Sequence, residues 1–269
     1  MNDIIFSDSS DETLDTPKGK SVTRWKAAAV HFVISFAVVI AVLVGMLAVW
    51  YPPPYFSAMG GKNLLLILGL VDVVIGPLIT LIIFNPKKKS LKFDLAVIAM
   101  IQLAALVYGL QSLFLARPVY TVLVANEFRV VSANEIDDTQ IGKINRAEFK
   151  SLPMTGPKLV VADPPTDSKE KDIAETGKLH GFGLQNMPQH YVPYSERLAY
   201  VIAQSKPLSI LETQNAQSFV KVNVFLNAIG KKVDDVKYLP LNAKKENMTV
   251  LVDAGTGSLI EILRISPWR

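Results

Sequence analysis

The sequence predicts an integral membrane protein with three N-terminal transmembrane helices. An α+β extracytoplasmic domain with a mainly antiparallel sheet is expected to follow them. Three observations carry that expectation. Apolar residues concentrate near 27–50, 64–84 and 93–115. Each run is long enough to cross about 30 Å of hydrocarbon as a helix. Basic residues cluster before the first run and between the second and third. Beyond residue 118 short β-rich segments alternate with polar turns, the pattern of a globular domain.

Composition narrows the functional classes. The chain has 269 residues, half of them hydrophobic, and a net charge of +4. Residues 117–269 hold 19 Lys/Arg against 17 Asp/Glu, so the basic excess sits beside the apolar runs. That distribution argues for membrane topology as its cause and against nucleic acid as a partner. There is no cysteine, which excludes disulfides, zinc–thiolate sites and cysteine nucleophiles.

Residues 1–23 read as a disordered tail, acidic at first (Asp3, Asp8, Asp11, Glu12, Asp15) and basic at its end. It is not a cleavable signal peptide, because the apolar run starts too late and is too long. Arg24 and Lys26 then precede the first run, which Trp25 and Trp50-Tyr51 bracket as interfacial aromatics do. His31 lies one turn inside the basic end and reads as a headgroup-level residue. Pro52-Pro53-Pro54 stops the helix. Tyr55, Phe56 and Met59 are expected to rest on the outer interface, and Gly60-Gly61 lets the chain re-enter.

The second run carries Gly69, Asp72, Gly76, Pro77 and Thr80. Positions 69, 72, 76 and 80 recur at three- and four-residue steps and share one helix face. Small residues there permit close helix approach in lipid, and Pro77 should kink the helix. A charged Asp at bilayer centre costs about 2.5–3.5 kcal/mol. Asp72 should therefore face protein or be protonated. It serves either a partner or a proton, or it accepts an internal hydrogen bond from Gln102, Tyr108 or His31. Asn85-Pro86 ends this run, and Lys87, Lys88, Lys89 and Lys92 follow. The third run starts with Asp94 beside these lysines and closes at Arg117-Pro118. The basic groups place the N-terminus and the 85–92 loop in the cytoplasm. Residues 118–269 then lie on the outer face, which in a Gram-negative cell is the periplasm.

That outer region opens with a hairpin of residues 119–124 and 128–131. A short helix is expected within 136–149, a strand at 158–162, and a helix over 168–177 capped by Asp167. Residues 178–195 read as a loop with His180 and His190, two histidines ten apart without nearby carboxylates, which is a weak metal signal and reads better as a surface loop. A helix over 195–204 follows, 209–217 is polar, and a helix over 216–229 ends at Gly230. Strands at 236–240, 248–253 and 259–265 finish the chain, the last two joined by the 253–257 loop. No P-loop, HExxH or GxSxG motif occurs, and no cofactor is expected. Asp234-Asp235 reads as a solvated turn. The residues name no reaction and predict an interaction protein rather than an enzyme.

Several stretches resemble the type IV pilin accessory family of TfpX/TfpZ type: Arg24-Trp25-Lys26-Ala27, WYPPPYF at 50–56 and GGK at 60–62, then LVDVVIGPLITLIIFNPKKKSLKFDL at 70–95, QLAALVYGL at 102–110 and ARPVY at 116–120 before FRVV. The likeness covers about residues 24–131. It implies a non-enzymatic, chaperone-like inner-membrane helper of pilus assembly. Such a helper would bind a type IV major pilin, alongside inner-membrane pilus assembly proteins, and aid its presentation to the assembly machinery. The face of Gly69, Asp72, Gly76, Pro77 and Thr80 would then meet the pilin helix. The acidic tail departs from the family pattern. Two alternatives stay open: a small oligomeric proton-coupled transporter or channel with Asp72 as the titrating group, and a membrane-bound enzyme using the histidine loop.

Overall fold

The computed structural model describes residues 22–178 and 181–268. The expected acidic tail at 1–20 and His180 lie outside the described residues.

Helix α1, Arg24–Gly45, starts where the Thr23 side chain accepts the Lys26 N–H and runs on through a π-helical turn, Met46–Trp50. The prolines stop it. Helix α2 is one turn, Tyr55–Ala58, and Gly60 takes φ +84° to reverse the chain. Only glycine adopts that backbone without strain. The second apolar helix is composite: α3 (Gly61–Gly69), a π-helical turn (Leu70–Ile75) and α4 (Gly76–Ile83). Pro77 supplies no N–H to the turn before it, and the disturbance expected there takes the form of this wide turn. Helix α5 is Leu91–Leu115. All three helical segments, Arg24–Trp50, Gly61–Ile83 and Leu91–Leu115, are long and apolar enough to cross a membrane.

The rest is soluble in character. Strands β1 (Pro118–Val124) and β2 (Glu127–Ser132) form the expected hairpin. After the short helix α6 (Asp138–Ile141) comes β3 (Lys158–Ala162). Helix α7 (Ser168–Lys178) is capped by Asp167, which accepts the N–H groups of Lys169 and Glu170. Strand β4 (Tyr191–Pro193), α8 (Leu198–Gln204), β5 (Lys206–Pro207), α9 (Leu208–Gln214) and α10 (Ala216–Ala228) follow, then β6 (Val236–Asn242), β7 (Asn247–Asp253) and β8 (Leu259–Leu263). The sheet order is β4-β3-β1-β2-β6-β7-β8, with β5 beside β6. Most pairs are antiparallel, as expected, but β1 with β3 and β2 with β6 are parallel.

Two expectations fail here for packing reasons. The polar stretch 209–217 contains a helix, because Leu208 and Leu211, three apart, both bury their side chains. Tyr55 and Met59 do not rest on an outer interface. With Met46, Tyr51, Ala58 and Leu113 they join Leu123, Phe128, Val161, Leu239 and Val250 in one buried cluster. The Thr121 hydroxyl donates to Tyr55 Oη at 3.0 Å, Lys245 N–H to the Ala58 carbonyl at 2.9 Å, and Gly156 N–H to the Val49 carbonyl at 2.8 Å. The helices and the sheet therefore share a core, and the first loop is its joint.

Candidate functional site

Asp72 stands at the centre of the 23-residue helix Gly61–Ile83, about 16 Å from either end at 1.5 Å per residue. Its carboxylate is 5% exposed, and neither oxygen has a hydrogen-bond partner. The internal bonds expected from His31, Gln102 or Tyr108 are not made. Tyr108 is 73% exposed, on an outward face of α5.

His31 and Gln102 bond to each other instead. His31 Nε2 lies 2.7 Å from Gln102 Oε1, and Nδ1 lies 2.7 Å from Thr80 Oγ1. An amide oxygen only accepts, so Nε2–H donates to it; in the neutral ring Nδ1 then accepts the Thr80 hydroxyl. The expected headgroup-level histidine thus ties all three apolar helices together. Gly76 makes this possible: a Cβ there would stand 1.8 Å from Gln102 Nε2 and 3.2 Å from His31 Nε2. Asp72, Gly76, Pro77 and Thr80 are buried on the expected face, while Gly69 is half-buried at its margin. A Cβ on Gly69 would meet Val39 at 4.0 Å, an ordinary contact, so its smallness is not what lets the helices approach.

Helices α1 and α5 both pack on the central helix and touch each other little. Between them lies an open groove of about 580 Å³. Its walls are apolar, with Val30 and Ile34 on α1 and Leu103 and Leu106 on α5, and Asp72 and Thr80 line its floor. It runs from Val22 and Leu95 at the basic end to Asp72 at mid-length. In water such walls would be covered by the hydrophobic effect. In a bilayer they face lipid tails or another helix.

The ends of the bundle differ in charge. Arg24, Lys26, Lys87, Lys88, Lys89 and Lys92 are all exposed at the end remote from the sheet, and Lys88 pairs with Asp94 at 2.6 Å. The histidine loop differs from expectation, because the fold brings a carboxylate to it: His190 Nε2 lies 3.0 Å from Glu170 Oε2 on α7. No group of three or more potential metal ligands occurs among the described residues. Sequence reasoning missed the groove and its polar floor. The four-residue spacing of His31 and Ser35, both of which line it, was the available signal.

Comparison with known proteins gives a consistent answer. A family model described as fimbrial assembly protein FimB matches residues 20–60. The fimbrial assembly protein of serogroup E1 from Dichelobacter nodosus is 33% identical over 216 residues, 79% of this chain and 78% of its own. The serogroup I protein of that organism is 34% identical over 217 residues with the same coverage. The protein of serogroups C1 and C2 is 40% identical over 114 residues, 41% of this chain and 86% of its own. No solved structure matches.

Proposed function

The chain belongs to the fimbrial assembly protein family, and from that premise we propose that it is a membrane-anchored helper that binds a major pilin and presents it to the pilus assembly machinery. The three apolar helices would sit in the bacterial inner membrane. Their basic end would be cytoplasmic by the positive-inside rule, leaving residues 118–269 in the periplasm. A pilin awaiting assembly has an apolar helix in that same membrane and a globular head outside.

The observation that carries this reading is the open groove between α1 and α5, with an unpaired carboxylate on its floor. A self-contained anchor would close such a groove and satisfy Asp72. Asp72 and Thr80 are then the floor on which the pilin helix docks, while Gly69, Gly76 and Pro77 lie outside that groove. The shared core joins the ends of the helices to the sheet, so the helix and the head of one pilin would meet adjoining parts of the same molecule. Other inner-membrane pilus proteins would receive the pilin afterwards. The reading requires no cofactor and no catalysis.

The test is photo-crosslinking in native membranes, with probes at Ile34 and Leu103 in the groove and at exposed Val224 on α10. Pilin adducts from the groove positions support the reading. Absence of pilin adducts from all three, with normal pili in a deletion strain, overturns it. The lack of cysteines allows the topology to be tested separately. Single cysteines at Ser90 and Ser258 should label from the cytoplasmic and periplasmic sides respectively.

A further inference from the structure

We infer that a second groove, between the central helix and α5, holds an anionic phospholipid of the cytoplasmic leaflet, with its phosphate at the 87–92 loop and one acyl chain along the groove. The inference uses the membrane placement proposed above and is independent of pilin binding.

This groove has a volume of about 430 Å³. Ile75, Ile79 and Ile83 of the central helix and Val97 and Ile101 of α5 wall it, and no residue of α1 lines it. Val71 stands at its inner end. From Ile83 to Val71 is about 18 Å at 1.5 Å per residue, close to half of a hydrocarbon core of about 30 Å. The groove is therefore about one leaflet deep. Apolar walls of that length match a single acyl chain.

The mouth of the groove is basic. Lys88 and Asp94 line it and pair with each other at 2.6 Å. That pair neutralises the acid at the mouth. Lys87, Lys89 and Lys92 are exposed and have no ion pair among the described residues. Basic pockets between transmembrane helices on the cytoplasmic side attract anionic headgroups.

Other occupants meet only part of this. A zwitterionic lipid suits the walls, but its own amine offsets its phosphate. A free phosphate suits the lysines and leaves the walls uncovered. A second copy of this chain in the same orientation brings its own four lysines to the same depth, where like charges repel. An anionic phospholipid covers the walls and meets the lysines together.

The probes are phosphatidylglycerol and phosphatidylcholine, each with a photoreactive diazirine near the end of one acyl chain. Each is present at trace level in phosphatidylcholine nanodiscs holding the full-length protein, and peptide mass spectrometry locates the adducts. Phosphatidylglycerol is expected to label Val71, Ile75 and Ile101 at least about fivefold more than phosphatidylcholine does. No such preference is expected at Leu78, which lines a different face of the central helix. Lys87→Gln, Lys89→Gln and Lys92→Gln together should remove the preference. Ile79→Trp fills the groove but keeps the lysines, and should lower labelling there, whereas Leu78→Trp should not. Equal labelling of the groove by the two lipids, a preference as strong at Leu78, or one that survives the triple substitution overturns the inference. So does a photoreactive residue at Ile79 that crosslinks to a second copy instead of lipid. Labelling of a cysteine at Ser90 from the periplasmic side would overturn the leaflet assignment. The wild-type comparison stands even if the variants fold poorly. Its failure leaves pilin crosslinks from Ile34 and Leu103 untouched, and loss of those crosslinks with the lipid preference intact removes the pilin reading alone.

Discussion

A Cβ built on Gly76 would lie 1.8 Å from Nε2 of Gln102, and Gln102 Oε1 is 2.7 Å from His31. The missing side chain at position 76 is thus what lets α5 reach α1 through the central helix. Gly76→Ala must push Gln102 aside and break the bridge. It should destabilise the bundle by about 1–3 kcal/mol, the usual cost of overpacking. Gly45→Ala, where nothing lies within 4 Å, should be neutral. Thermal unfolding of the two variants in the same detergent checks the contrast.

Asp72 should weigh on stability and support function. Replacing an unpaired buried carboxylate by an apolar residue of similar size removes a group that lipid and protein both disfavour. Asp72→Leu is expected to stabilise the isolated protein by about 1–3 kcal/mol and to abolish surface piliation. Unfolding in detergent and pilus counts in a complemented deletion strain measure the two effects. A variant less stable than wild type would contradict this account.

Arg117 joins α5 to the sheet without a carboxylate partner among the described residues. Its Nη1–H donates to the Phe114 carbonyl at 2.7 Å, its Nε–H to the Pro153 carbonyl at 3.3 Å, and its guanidinium lies 3.9 Å over the Phe114 ring. Lysine keeps the charge but cannot donate to both carbonyls from one planar fork. Arg117→Lys should cost about 1–3 kcal/mol. Arg117→Met should cost no more than that, because it removes the buried charge with its bonds.

Alkaline pH should loosen the outer region. Burial pushes the Tyr120 and Tyr194 phenols up to about 12 and raises Tyr191 well above its ordinary value. The unfolded chain releases these protons near pH 10. The stabilisation is therefore complete below that pH and is lost as pH rises from about 10 toward 12, at about 1.4 kcal/mol per pH unit for each tyrosine. The Tyr120 hydroxyl is buried without a partner, so Tyr120→Phe should be neutral or stabilising at neutral pH and should flatten the alkaline loss. Melting temperatures of both proteins from pH 8 to pH 11 test this.

The joint between loop and sheet should fail at Tyr55. Its ring is buried in the shared core and its hydroxyl accepts from Thr121. Tyr55→Ala is expected to cost about 3–5 kcal/mol and to expose the 51–60 segment to protease. Limited digestion followed by mass spectrometry locates the cut.

Features that depend on local, one-dimensional pattern were legible before any coordinates. The length of the runs at 27–50, 64–84 and 93–115, the lysines after Asn85 and the breaks at Pro52 and Gly60 set three membrane-length helices and their charge asymmetry. The face of Asp72, Gly76 and Thr80 followed from helical spacing, and the hairpin at 118–132 from β-rich runs around a short turn. Tertiary structure decided the rest, because it depends on contacts between residues far apart in the chain. The partner of His31 is Gln102, 71 positions away. The burial of Tyr55 depends on strands that begin more than sixty residues later. Glu170 stands 3.0 Å from His190, a residue twenty positions away in the chain. The groove exists because α1 and α5 lean on the same helix without closing on each other. Helix periodicity gives the direction in which Asp72 points, but not whether a neighbour stands there to meet it.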